Sequence, residues 1–182
     1  MRHLVLVLAS MLALAACGNE SDQLPGSVAM TSEALGHYCQ MNLLEHPGPK
    51  AQVHLDGIPA PLFFSQVRDA IAYLRMPEQS YGIRAIYVSD MSKAPNWQSP
   101  GIDNWVLADK AVYVVGSKLV GGMGAQELVP FSKRSAAEAF ANANGGELRS
   151  LTEITDELVL TPVEFATDEN ENFVSPDTAS AN

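Results

Sequence analysis

The chain has 182 residues, a formal net charge of -10 at neutral pH and 47% hydrophobic residues. That length suits one domain with a real core. The acidic balance argues against a nucleic-acid binder, which needs a basic surface to displace phosphate counterions.

At the start of the chain a single cation, Arg2, precedes an apolar run over residues 4–16 that ends in Leu14-Ala15-Ala16-Cys17. The run falls short of the ~20 apolar residues that cross a bilayer, so residues 1–16 read as a secretory signal. Leu-Ala-Ala-Cys is similar to the bacterial lipobox, which makes Cys17 the expected lipidation site and the link to a membrane. Each buried CH₂ contributes about 0.8 kcal/mol, so several acyl chains hold a domain firmly. Gly18, rather than Asp, follows that cysteine as in lipoproteins sorted to the outer membrane. The expected location is therefore a bacterial membrane, the outer one, facing the periplasm. Residues 17–34 are expected to form a flexible tether and 35–166 the folded domain. Residues 167–182, with Asp168, Glu169, Glu171 and Asp177 among small polar groups, read as a disordered acidic tail.

Further along, one unit occurs twice. Residues 52–55 form a strand that turns at Asp56-Gly57 into a second strand at 62–64, Ser65 is expected to cap a helix over 66–74, and a strand follows at 85–88. Residues 112–115 lead round to a strand at 128–131, Ser132 is expected to cap a helix over 133–141, and a weaker strand follows at 147–149. The fold class is thus α+β, with two β-β-α-β repeats forming one compact domain. Residues 95–103 link the halves, and a further helix is expected over 152–160.

With Cys17 lipidated, Cys39 is left as a lone exported thiol that has no intramolecular disulfide partner. In an extended segment His37, Cys39 and Met41 would leave the same face. Thiolate and thioether are soft donors that favour Cu(I), whereas hard ions take carboxylate oxygen. Zinc is the nearest competitor, and it usually takes four ligands from Cys, His and carboxylate. Met123 adds a third sulfur in Gly121-Gly122-Met123-Gly124, where neighbouring glycines leave it no core to fill. Met91, after Ser89-Asp90, is a weaker candidate. His46 opens the rigid turn His46-Pro47-Gly48-Pro49-Lys50 and reads equally as connector or ligand. His54 reads as a sheet residue, and Met76, before Pro77, as packing.

Together, His37-Tyr38-Cys39-Gln40-Met41, Glu45-His46-Pro47-Gly48-Pro49-Lys50, Tyr87-Val88-Ser89-Asp90-Met91 and Gly122-Met123-Gly124-Ala125 resemble the NosL family of copper-chaperone lipoproteins. The resemblance implies a fold of two β-β-α-β halves, similar also to a domain of organomercurial lyase. It implies Cu(I) as the cargo and Cys39, Met41 and Met123 as its ligands, with Met91, His37 and His46 as weaker ones. The implied partners are the assembly machinery of nitrous oxide reductase, with its ABC-type membrane complex, and the reductase itself. Gln40 stands where many relatives carry glycine, a substitution that bears on the local backbone path.

The expected role is therefore a carrier and not an enzyme. One alternative is an assembly adaptor that binds metal incidentally. The other makes Cys39 a nucleophile activated by a histidine, although no nucleophile motif surrounds it.

Overall fold

The computed structural model describes residues 23–78 and 80–162. The expected signal, Cys17 and the acidic tail lie outside them. Strand β1 (Ala51–Leu55) turns at Gly57, whose φ of 72° is open to glycine at little cost, and returns as β2 (Leu62–Phe64) in the register Ala51 to Phe64. Helix α1 (Val67–Arg75) buries Val67, Ala70 and Ile71 at the i, i+3, i+4 spacing of one face and stops before Pro77. β3 (Ile83–Ser89) then pairs antiparallel with β1, and β4 (Trp105–Leu107) adds to its far edge.

The second half repeats the order with β5 (Val112–Val115), β6 (Val129–Phe131), α2 (Arg134–Asn144) and β7 (Glu147–Ser150). The sheets run β2-β1-β3-β4 and β6-β5-β7, so the strand that opens each unit lies between the other two. The expected final helix is shorter: α3 covers Asp156–Leu160, after a 3-10 turn at Leu151–Glu153.

One core joins the halves. Phe64, Val67, Ile71 and Val88 from the first pack in the same cluster as Tyr113, Val115 and Leu128 from the second. A smaller cluster of Val114, Val129, Phe131 and Ala137 lies under α2. Asp90, fully buried, ties the halves with charge: its carboxylate accepts from the Ser132 N–H at 2.9 Å and the Ser132 hydroxyl at 2.7 Å.

Two expectations need correction. Neither Ser65 nor Ser132 caps its helix, because Ser132 is spent on Asp90 and the N-cap residues are Gln66 and Lys133, neither with a side-chain cap. The packed chain also begins before residue 35. Met30 and Ala34 are buried, and the Gln52 amide pairs with both backbone groups of Val28, at 2.8 and 3.0 Å. That docking explains why every residue of β1 is buried, polar Gln52 and His54 included. His54 is a sheet residue, as expected, with Nε2 2.9 Å from the Gln52 amide oxygen.

Candidate metal centre

Cys39 lies in a tight loop and not in the extended segment that alternation suggested. The Gly36 N–H donates to the Met41 carbonyl at 3.0 Å and the Gln40 N–H to the Gly36 carbonyl at 2.9 Å, which closes the chain on itself around the cysteine. Gln40 has φ 56°, the one described non-glycine residue at positive φ, and its side chain donates to the His37 carbonyl at 2.7 Å. The half-buried thiol lies 3.7 Å from the Ser65 hydroxyl. A Cβ on Gly36 would come within 2.4 Å of the sulfur, so glycine is needed there for the loop to fold over it.

The turn replaces the extended segment in which the three residues would align. His37 packs in an aromatic group, with Phe64 at 5.6 Å and Tyr73 at 5.7 Å, and lines a cavity of about 480 Å³ with Tyr38, Leu62 and Tyr81. Met41 leaves the loop 40% exposed. Met91, half-buried, lies against the smaller core under α2, and its N–H donates to the Pro130 carbonyl at 2.9 Å.

Met123 sits at the tip of a glycine turn, 36% exposed, with the Gly124 N–H donating to the Gly121 carbonyl at 2.9 Å. The buried Gln66 amide oxygen accepts from the Met123 N–H at 3.0 Å and the Ala125 N–H at 3.3 Å. Cys39 therefore touches Ser65, and the Met123 loop is tied to Gln66, the next residue along. The two sulfur-bearing loops, distant in sequence, meet at one dipeptide ahead of α1.

His46 is drawn to the same place. Its Nδ1 lies 3.1 Å from the Gly122 carbonyl oxygen, while Nε2 is buried with no hydrogen-bond partner among the described residues. The turn behind it is held by Lys50, 1% exposed, whose ammonium donates to the carbonyls of Pro47 at 2.9 Å and Gly48 at 2.6 Å. Burial lowers the Lys50 ammonium to about 8, against the opposing pull of Glu127 and Cys39. Burial raises the Glu127 carboxyl to about 8, although it accepts from three backbone N–H groups, those of Arg68, Leu128 and Val67. Two of those N–H groups belong to the first turn of α1, so Glu127 caps that helix from the other half.

The sequence reading gave Ser65, Gln66, Lys50 and Glu127 no part in the site. The glycines of 121–124 were its one pointer to them, since Gly121 has no room for a Cβ between Gln66 and Glu127. Among the described residues no group of three or more His, Cys, Asp and Glu could hold a metal ion. The loops that do come together carry sulfur and imidazole donors, a set suited to a soft monovalent ion.

The NosL family model matches residues 27–159. A copper-binding lipoprotein NosL from Achromobacter cycloclastes is 61% identical over 161 residues, covering 88% of this chain and 83% of the relative. A copper-binding lipoprotein NosL from Stutzerimonas stutzeri is 32% identical over 149 residues, 80% of this chain and 76% of the relative. The crystal structure of the copper chaperone NosL from Shewanella denitrificans superposes with a TM-score of 0.66 at 35% identity, covering 71% of this chain and 96% of that one.

Proposed function

The chain belongs to the NosL family, and from that premise we propose that it is a lipid-anchored metallochaperone that binds one Cu(I) ion and passes it on. The observation that carries this reading is the meeting of the Cys39 and Met123 loops at Ser65-Gln66. The Cys39 thiolate and Met123 thioether hold the ion, and His46 offers Nε2 as a nitrogen donor. Exposed Met41, at the exit of the Cys39 loop, is the donor an incoming partner meets first. The names of the relatives, copper-binding lipoprotein and copper chaperone, support copper as the cargo. The chemistry of the donors supports the +1 state.

Low coordination suits transfer. A receiver adds a ligand before the old ones leave, so the ion is never free. We assign the anchor to Cys17, the location to the periplasmic face of the outer membrane, and the receiver to the assembly machinery of nitrous oxide reductase, with its ABC-type membrane complex. A thiol enzyme is disfavoured, since the Cys39 sulfur has a serine and not a histidine as its hydrogen-bond neighbour.

The test is an anaerobic Cu(I) titration of the purified protein against a competing chelator. Stoichiometric binding that Cys39→Ala abolishes and Met123→Leu weakens is expected. Unchanged affinity in Cys39→Ala overturns the proposal. Delivery is tested separately, by nitrous oxide reduction in cells at limiting copper. Both variants should fail there, and normal activity in both would favour an adaptor instead.

A further inference from the structure

We propose that Gln66 is a positioning residue for copper: its buried amide fixes the Met123 loop where the thioether faces Cys39. The inference rests on the reading of Cys39 and Met123 as the sulfur ligands.

A loop carrying Gly121, Gly122 and Gly124 has little conformational preference of its own. Something outside the loop must hold its shape. Gln66 is 2% exposed and sits at the N-cap position of α1, yet its side chain makes no capping bond. Glu127 caps instead, accepting from Val67 at 3.2 Å and Arg68 at 3.0 Å. Freed from that task, the Gln66 amide spans outward. Its NH₂ donates to the Asp69 carboxylate at 3.1 Å, and its oxygen accepts from the Met123 and Ala125 N–H groups. The orientation is not arbitrary, because both loop groups are donors and only the amide oxygen serves them.

The contact leaves no slack. A Cβ on Gly121 would lie 2.6 Å from the Gln66 oxygen and 2.7 Å from a Glu127 oxygen. Meanwhile the preceding residue, Ser65, touches the Cys39 sulfur. Two adjacent residues thus set the spacing between two sulfurs that the chain places far apart. Gln66 makes no contact of its own with the ion and acts through Met123.

A double-mutant cycle tests this on the purified protein, by anaerobic Cu(I) competition with melting curves of the apoprotein alongside. Gln66→Leu keeps the size and removes the acceptor. It is expected to weaken Cu(I) binding about 10- to 100-fold, the range for groups that orient metal ligands. In a Met123→Leu background the same change should matter by less than about twofold, since the interaction it serves is already gone. Gly121→Ala pushes the loop off the amide while leaving Gln66 in place, and should show the same dependence if Gln66→Leu does not fold. X-ray absorption of the Cu(I)-loaded variants should lose one sulfur neighbour. Equal losses in both backgrounds, or a full sulfur count in a weakened variant, overturn the inference. If Met123→Leu weakens binding and neither Gln66→Leu nor Gly121→Ala does, the inference alone fails; if Met123→Leu itself has no effect, the ligand assignment fails with it.

Discussion

His46 Nδ1 lies 3.1 Å from the carbonyl oxygen of Gly122. A carbonyl only accepts, so in the neutral ring this contact puts the proton on Nδ1 and leaves the lone pair on Nε2, which has no partner among the described residues. Histidines that bind metals are commonly oriented in this way by a carbonyl behind the ring. Asparagine reproduces the Nδ1 donor and lacks Nε2, so His46→Asn should leave the melting temperature of the apoprotein nearly unchanged. Its Cu(I) affinity should fall at least about tenfold, or ~1.4 kcal/mol. The check is chelator competition beside a thermal melt. An unchanged affinity would make His46 a clip for the Gly122 turn and nothing more.

Gln40, next to Cys39, is held at φ 56°, a region that disfavours side chains by roughly 1–2 kcal/mol. Its bond to the His37 carbonyl offsets part of that strain. Gln40→Gly removes both together, so stability should shift by less than about 1 kcal/mol and Cu(I) binding should persist. Gln40→Ile adds a branched Cβ where the backbone least tolerates one. That variant should lose stability and copper affinity alike, measured by urea denaturation and competition titration. Equal behaviour of the two variants would mean that the loop reaches its shape without the left-handed residue.

The sequence showed most of the frame and supplied the candidate donors, and the reasons for the rest are physical. Asp56-Gly57 and the serine-bearing helix starts carry local signals, so the repeated β-β-α-β order was legible. The cap assignments were not, because Asp90, 42 residues away, claims Ser132, and Glu127 reaches α1 from the other half. Met123 stood out since glycines strip its surroundings. The Cys39 turn hid behind an alternating pattern, as Gly36 and Gln40 act through a close approach and a positive φ that periodicity does not encode. Met91, a weaker candidate from its place after Ser89-Asp90, packs against the core under α2, a contact that its position in the sequence does not reveal.

Asp90 offers a stability test away from copper. Burial works against its charge, yet hydrogen bonds from Ser132, Lys93 and Ser92 hold its carboxyl below the ordinary carboxylate range. A lowered folded-state value means the charged form stabilises the fold at neutral pH, and that this contribution fades as acid carries the pH below the ordinary value of 3.8. Asp90→Ala leaves the buried donors of Ser132 unmatched and should cost about 3 kcal/mol at pH 7. The urea midpoint should drop accordingly, and the variant should lose less stability than the parent as the pH falls below about 4. A midpoint within error of the parent would sink the idea that Asp90 binds the halves together.

Glu127 and Lys50 should give the apoprotein an unusual pH profile. The folded-state value of Glu127 is raised from 4.5 to about 8, so between those values the folded chain binds more protons than the unfolded one and stability falls as pH rises. Lys50 is lowered from 10.5 to about 8, so between those values the unfolded chain binds more protons and stability climbs again. The two windows meet near pH 8, where a stability minimum is expected, with each group contributing at most about 1.4 kcal/mol per pH unit. Glu127→Gln should flatten the acid side of the minimum, at some loss of α1 capping, and Lys50→Met the alkaline side. Urea midpoints measured from pH 5 to pH 10 at roughly unit steps would resolve both limbs. A profile that is flat through pH 8 in the parent protein would mean that the two charges neutralise each other in the fold and titrate as an ion pair instead.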